Sequence, residues 1–276
     1  MDLIIQGMEI ETSDLRELAK LSGASQIKRI TRSAFRLVDA SHQECISSFC
    51  HEAKLDFAFV NKITNLTNFS MVAMDMDSTL VGIESIDEIA EMYGVRKQVS
   101  ELTRKAMYGE INFAEALIQR VALLKGLDQS VLQRVYDERL ALNPGAEKML
   151  GQLKISGIKT VLVSGGFTFF TDKLKEKLGL DFAFANTLEI ENGKLTGKLT
   201  EKKIDAQGKG RVLKQICNEL GYRKENLIAI GDGANDLPMF AEVGVSVAYH
   251  AKPMVQENAT YTINHVGLDG IINIFR

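Results

Sequence analysis

Residues 71–79 read MVAMDMDST. Four apolar residues, Met71 to Met74, run without a break into two carboxylates, Asp75 and Asp77. A strand of a parallel sheet is covered on both faces, so it needs such an unbroken apolar run. Carboxylates just past its end sit where open α/β sheets take their ligands, outside the carboxyl ends of the strands.

Downstream of Asn143-Pro144-Gly145 the pattern alternates between strand and helix. KTVLVSG (159–165) reads as strand, TFFTDKLKEKLG (168–179) as helix, GKGRVLKQICNELG (208–221) as helix, LIAIGD (227–232) as strand and ANDLPMFAEVG (234–244) as helix. VSVAYHA and YTIN close the series as short strands, and FAFANTLEIENGKLTGKLT (182–200) reads as strand–turn–strand about Asn192-Gly193. This alternation predicts an α/β fold with a doubly wound, mostly parallel sheet. Between the first strand and Asn143 lie four helical patterns in a row with no strand among them: SIDEIAEMYG, VRKQVSELTRKAMYGE, NFAEALIQRVALLKG and DQSVLQRVYDERLAL. They predict a helical insertion at about residues 82–143 of a main domain spanning 70–276.

Residues 1–67 read as a separate small α+β domain. DLIIQG is a strand, TSDLRELAKLSG a helix capped by Thr12 or Ser13 and stopped by Gly23, and QIKRITRSAFRLVDA one long strand. A helix opening at Ser41 and the strand DFAFVN follow. Lys28, Arg29, Arg32 and Arg36 are interleaved with acids, as on a solvated face.

The chain has 276 residues, 45% of them apolar and 25% charged, with net charge −3. That balance excludes disorder and gives no basic footprint for nucleic acid. No apolar run approaches the ~20 residues of a membrane-spanning helix. The N-terminal segment lacks a basic, signal-like start, and the three cysteines (Cys45, Cys50, Cys217) form no CxxC pair. Reduced thiols in the cytoplasm are the expectation.

Three strand ends carry the candidate chemistry. Asp75 and Asp77 follow the first, Ser164, Gly165 and Gly166 the second, and Asp232, Asn235 and Asp236 the third. Taken singly, each set reads as turn or cap residues. Together they place four carboxylates in one crevice, and their mutual repulsion calls for a hard cation such as Mg²⁺. Ser-Gly-Gly opening onto a helix suits an anion such as phosphate.

The ordered set DMDST (75–79), SGGF (164–167), Lys209 and GDGANDLPMF (231–240) resembles the four motifs of the haloacid dehalogenase-like phosphatases. The segment KAMYGEINFAEALIQRVALLKGL (105–127) is similar to the cap of the members that act on O-phosphoserine. The resemblance implies Mg²⁺-dependent hydrolysis of O-phospho-L-serine, the last step of serine biosynthesis. Asp75 would be the nucleophile that forms an aspartyl-phosphate, and Asp77 the general acid. The metal would be held by Asp75, the Asp77 backbone carbonyl and Asp232, with Asp236 in support. Ser164, Gly165, Lys209 and Asn235 would bind the phosphoryl group. Glu84 would meet the substrate ammonium, Arg120 its carboxylate, and Met107 and Phe113 would close over it. Read without the family, Glu84 is a helix-start acid, Arg120 a surface residue, and Met107 and Phe113 core.

Members of the family often carry an N-terminal domain resembling an ACT fold. The 67 residues here read as short for its full βαββαβ pattern, and a packing or homodimer role is the expectation. Three other classes fit parts of the pattern. A phosphotransferase would share the aspartyl-phosphate. A receiver domain lacks a cap, and a dinucleotide site is disfavoured because Asp236 replaces the third glycine of its fingerprint.

Overall fold

The computed structural model describes residues 1–41, 44–62, 64–107, 110–200 and 204–276, the side chains at 106 and 107 excepted. In chain order the first elements are β1 (Asp2–Gln6), α1 (Thr12–Ser22), β2 (Gln26–Arg29), β3 (Ala34–Val38), α2 (Glu44–Glu52) and β4 (Asp56–Val60). They form an antiparallel sheet in the order β2-β3-β1-β4. This is the complete βαββαβ succession with split-βαβ topology, so the expectation of a truncated pattern is corrected. The pattern fits because its strands are four or five residues long.

The single long strand expected over 26–40 is also two strands. Ile30 and Thr31 both turn their N–H groups onto the Ala34 carbonyl (2.9 and 3.1 Å), folding the polar Thr31–Ser33 stretch into a hairpin turn. Helix α1 does stop at Gly23, which takes the left-handed conformation. Its cap position is Glu11, not Thr12 or Ser13, and no side chain caps it.

The main domain continues with β5 (Met71–Met74), then four helices: α3 (Ser85–Tyr93), α4 (Arg96–Met107), α5 (Phe113–Ala122) and α6 (Ser130–Glu138). After α7 (Ala146–Ile155) come β6 (Lys159–Phe167), α8 (Thr168–Leu178), β7 (Phe182–Asn186) and a separate hairpin, β8 (Leu188–Glu191) with β9 (Lys194–Leu199). Asn192 and Gly193 both have positive φ in the hairpin turn, the geometry an Asn-Gly pair favours. The chain closes with α9 (Ala206–Leu220), β10 (Leu227–Gly231), α10 (Leu237–Phe240), β11 (Val245–Tyr249), α11 (Pro253–Glu257), β12 (Tyr261–Ile263) and α12 (Gly270–Ile274).

The large sheet has six strands in the order β12-β11-β10-β5-β6-β7, and every recorded pair is parallel. Its alternating residues feed two cores. Val72, Met74, Leu162, Ile228 and Ile230 face one. Met71, Ala73, Val161, Val163, Leu227 and Ala229 face the other. That two-sided burial is why β5 is apolar throughout.

The small sheet is packed onto the large domain. In β1, Ile4 joins the main core while Leu3 and Ile5 face the module's own helices. The buried Asp56 carboxylate accepts the backbone N–H groups of Asn264, His265 and Val266 at 2.7, 3.0 and 3.0 Å.

Candidate active site

Sheet register assembles the site. Met74 of β5 pairs with Ile230 of β10 on one side and Leu162 of β6 on the other. Asp75, Asp232 and Ser164 each follow these paired residues by one or two positions. They therefore emerge together at the carboxyl edge of three adjacent central strands, where such sheets hold ligands.

Lys209, on the first turns of α9, is completely buried beneath this edge. Its Nζ lies 2.6 Å from Asp75 Oδ2 and 2.7 Å from Asp236 Oδ1. The second Asp75 oxygen accepts the Met76 N–H at 2.7 Å. Asp236 Oδ2 accepts the N–H groups of Asp232 and Gly233, each at 3.1 Å, so both oxygens of Asp236 are engaged. Asp232 Oδ1 accepts the Thr79 hydroxyl at 2.8 Å. Asn235 is half-buried in the turn after β10, its Oδ1 set close against Gly233.

Asp75, Asp232 and Asp236 bring carboxylate oxygens within 4.8 Å of one another. Burial, then Asp236, pushes the Asp75 carboxyl well above the usual carboxylate range, against the pull of Lys209. Burial and Asp236 lift Asp232 to about 6. Burial by itself would lower the Lys209 ammonium, but Asp236 and Asp75 outweigh it and raise it. One cation among three carboxylates leaves the site short of positive charge. A hard divalent ion bound through oxygen fits this donor set and would reverse the upward shifts.

Asp77 sits between Gly166 of β6 and the start of the helical insertion. Its carboxylate accepts the N–H and hydroxyl of Ser85 at 3.1 and 2.9 Å, at the start of α3. Burial and the nearby Glu84 push it up to about 8, more than the Ser85 bonds lower it. A carboxyl with that pKa carries its proton at neutral pH, as a general acid must.

Ser78, at φ 57°, turns the chain and donates its hydroxyl to Glu84 Oε1 at 2.8 Å. Glu84 is open to solvent on one side, yet enough protein surrounds it to raise its carboxyl above the ordinary value. Arg120 on α5 is only 8% exposed. Its nearest hydrogen-bond partners, the Ala116 carbonyl at 3.4 Å and the Thr103 hydroxyl at 3.5 Å, are long. Its guanidinium carbon stands 5.8 Å from the Phe113 ring centroid. The Phe113 ring edge approaches Gly165, bringing the helical segment over the phosphate-type loop. The Met107 side chain lies outside the described residues.

Ser164 is buried and accepts the Gly166 N–H at 2.9 Å, which leaves its hydroxyl proton free for an incoming acceptor. A side chain at position 166 would put its Cβ 2.9 Å from Asp77 Oδ2 and 3.0 Å from Ser164 Oγ. Glycine is required there by space, not by backbone angle.

Two contributors were not singled out in the sequence: Thr79 and Ser85. Thr79 stands inside the DMDST motif, but the carboxylate it bonds, Asp232, lies 153 residues away. Ser85 carries no local signal.

Comparison with known proteins gives concordant results. The haloacid dehalogenase-like hydrolase family matches residues 72–241. A domain of unknown function (DUF4072) matches residues 3–45. A phosphoserine phosphatase from Polaromonas sp. is 47% identical over 216 residues, 76% of this chain and 92% of that protein. A haloacid dehalogenase family hydrolase of known structure from Salmonella enterica serovar Typhi superposes with a TM-score of 0.90 at 30% identity, covering 100% of this chain and 98% of that one. The unliganded structure of a probable phosphoserine phosphatase from Vibrio cholerae gives a TM-score of 0.87 at 35% identity, covering 99% of this chain and 86% of that one.

Proposed function

This chain belongs to the haloacid dehalogenase-like hydrolases, and from that premise we propose that it hydrolyses O-phospho-L-serine to L-serine and phosphate. It is a phosphoric monoester hydrolase that works through an aspartyl-phosphate. One observation carries the reading: the buried Asp75–Lys209–Asp236 cluster lies beneath a helical segment that presents Glu84 and Arg120.

Asp75 attacks phosphorus, a role carboxylates fill in other aspartyl-phosphate enzymes. The serine oxygen leaves with the proton held by Asp77. Asp77, now ionised, takes a proton from water as water attacks the aspartyl-phosphate. Ser164, Gly165, Lys209 and Asn235 hold the phosphoryl oxygens, since phosphoryl transfer is governed by positioning and charge. Asp75, the Asp77 carbonyl and Asp232 would hold Mg²⁺, and Asp236 supports Lys209 and the Asp232 turn. The bound ion would neutralise charge on the transferring group.

Glu84 pairs with the substrate ammonium, and the weakly bonded Arg120 guanidinium is free to fork onto its carboxylate. Phe113 closes the site against water. Residues at about 82–143 thus form the cap of a domain spanning 70–276, with 1–67 as a small ACT-like domain. Among the described residues no helix is long and apolar enough to cross a membrane, and we place the enzyme in the cytoplasm, at the last step of serine biosynthesis.

The test is phosphate release from L-phosphoserine with Mg²⁺, with EDTA, and beside p-nitrophenyl phosphate, phosphothreonine and a sugar phosphate. Mg²⁺-dependent preference for phosphoserine is expected. Release from the other esters alone would leave the phosphoryl chemistry standing and remove the cap assignment.

A further inference from the structure

Asn186 is the last residue of β7 and is fully buried. It stands where β6 and β7 lose regular register: pairing is continuous to Val163–Phe184 and resumes only at Phe167–Asn186. The irregular stretch between is Ser164-Gly165-Gly166.

The Asn186 side chain spends its hydrogen bonds on the backbone of two distant segments. Its Nδ2 donates to the Gly165 carbonyl at 2.9 Å and to the Ile204 carbonyl at 3.1 Å. Its Oδ1 accepts the Ile204 N–H at 2.5 Å. A buried amide with every bond directed at backbone fixes those backbones relative to each other.

Each end leads to a group that handles phosphate. The Gly165 carbonyl belongs to the same planar peptide as the Gly166 N–H, and that N–H holds Ser164 Oγ at 2.9 Å. Holding the carbonyl therefore sets the plane that orients the Ser164 hydroxyl. On the other side, Ile204 precedes Asp205, whose side chain caps α9 through the Gly208 N–H at 2.7 Å. Lys209 follows directly, its own N–H bonded to the Asp205 carbonyl at 3.0 Å.

We propose that Asn186 is a positioning residue of the phosphate site, tying the peptide that orients Ser164 to the start of the helix that carries Lys209. Asn186 touches no reacting atom. It sets the spacing between one neutral and one cationic phosphate ligand that come from different segments. The inference rests on the phosphatase reading given above.

The test uses the full-length enzyme with Mg²⁺ and compares wild type with Asn186→Asp and Asn186→Ser. The aspartate variant keeps the shape and the acceptor for Ile204 but loses both donors. The serine variant is neutral and smaller. Two substrates, L-phosphoserine and p-nitrophenyl phosphate, are measured beside inhibition by inorganic phosphate and by orthovanadate. A misplacement of about 1 Å can cost ~100-fold. We expect kcat to fall roughly 10- to 100-fold on both esters alike, and both inhibition constants to rise at least several-fold.

Loss of folded enzyme alone lowers apparent kcat but leaves the inhibition constants unchanged, because these are properties of the molecules still folded. Unchanged inhibition constants in both variants would therefore overturn the proposal even if the melting temperature falls. If neither variant folds, the helix start to which Asn186 is tied is probed through its cap by Asp205→Ala; unchanged phosphate inhibition there counts against the proposal as well. A wild-type enzyme inactive on every ester would instead overturn the reading on which the proposal rests.

Discussion

Lys209 Nζ sits 2.6 Å from Asp75 Oδ2 with both side chains sealed from solvent. Neither group is tolerable there without the other, because an unpaired buried charge is strongly destabilising. Lys209→Met keeps much of the volume and removes the charge, leaving Asp75 and Asp236 facing each other. The expected result is a stability loss of about 3 kcal/mol and a fall in kcat of roughly 1,000-fold. Thermal unfolding and steady-state kinetics on the same preparation check both.

The carboxylate cluster predicts a stabilising effect of metal. A ligand that binds only the folded state adds stability as its concentration rises above Kd. Mg²⁺ should raise the melting temperature of wild type in the absence of substrate, and EDTA should reverse it. Asp232→Asn should lose most of that response while folding normally. A rise of equal size in that variant would place the ion elsewhere.

Position 166 tests packing inside the site. Gly166→Ala puts a methyl group 2.9 Å from Asp77 Oδ2 and 3.0 Å from Ser164 Oγ, with no penalty from backbone angle. On the roles proposed for Asp77 as acid and Ser164 as phosphate ligand, displacing both together should lower kcat on the order of 100-fold. The circular dichroism spectrum should remain that of wild type.

Much of this site was legible because it follows strand ends. The run Met71–Met74 is apolar on every residue only because two cores flank it, and that pattern is visible without a structure. Asp75, Ser164 and Asp232 then fall at carboxyl ends by counting. Thr79 is different: it reaches Asp232 across 153 residues, a distance no local pattern spans. Asn186 is hidden for the same reason, since its partners depend on how β6 loses register. In the N-terminal domain, alternation ran on through Thr31–Ser33 and concealed a turn, so two strands read as one.

Substrate choice should separate from phosphate chemistry. On the role proposed for Arg120, Arg120→Ala removes a charge-assisted contact to the serine carboxylate, worth about 1.5–3 kcal/mol. That corresponds to roughly a 10- to 100-fold fall in kcat/KM for phosphoserine. p-Nitrophenyl phosphate has no carboxylate and should change little. Equal losses on both would remove Arg120 from substrate recognition.

The role proposed for Glu84 gives the same discrimination a pH dependence. Burial raises its carboxyl above the ordinary value, more than Ser78 and Arg120 lower it. A raised pKa means the proton is held at a pH where an ordinary glutamate, near ~4.3, has lost it. Protonated Glu84 cannot pair with an ammonium. The kcat/KM of wild type for phosphoserine, divided by that of Glu84→Gln on the same substrate, should therefore fall as pH is lowered, beginning above the ordinary glutamate range. The titration of the ester and of Asp77 is common to both enzymes and cancels in this ratio. A ratio that stays flat over that interval would remove Glu84 from ammonium recognition.

The N-terminal domain is joined to the main domain by apolar and polar contacts at once. Ile4, Ala58 and Val60 belong to the main core cluster, and Asp56 gathers three backbone N–H groups from residues 264–266. Removing that carboxylate strands buried donors, each worth about 1–3 kcal/mol. Asp56→Ala should lower the unfolding free energy by about 3 kcal/mol. Because the apolar cluster crosses the boundary, unfolding in urea should remain a single transition in both proteins. Far-ultraviolet circular dichroism and tyrosine fluorescence, followed on one sample, should give coincident curves. Two separated steps in wild type would show that the small domain folds alone and that its contacts with the main core add little.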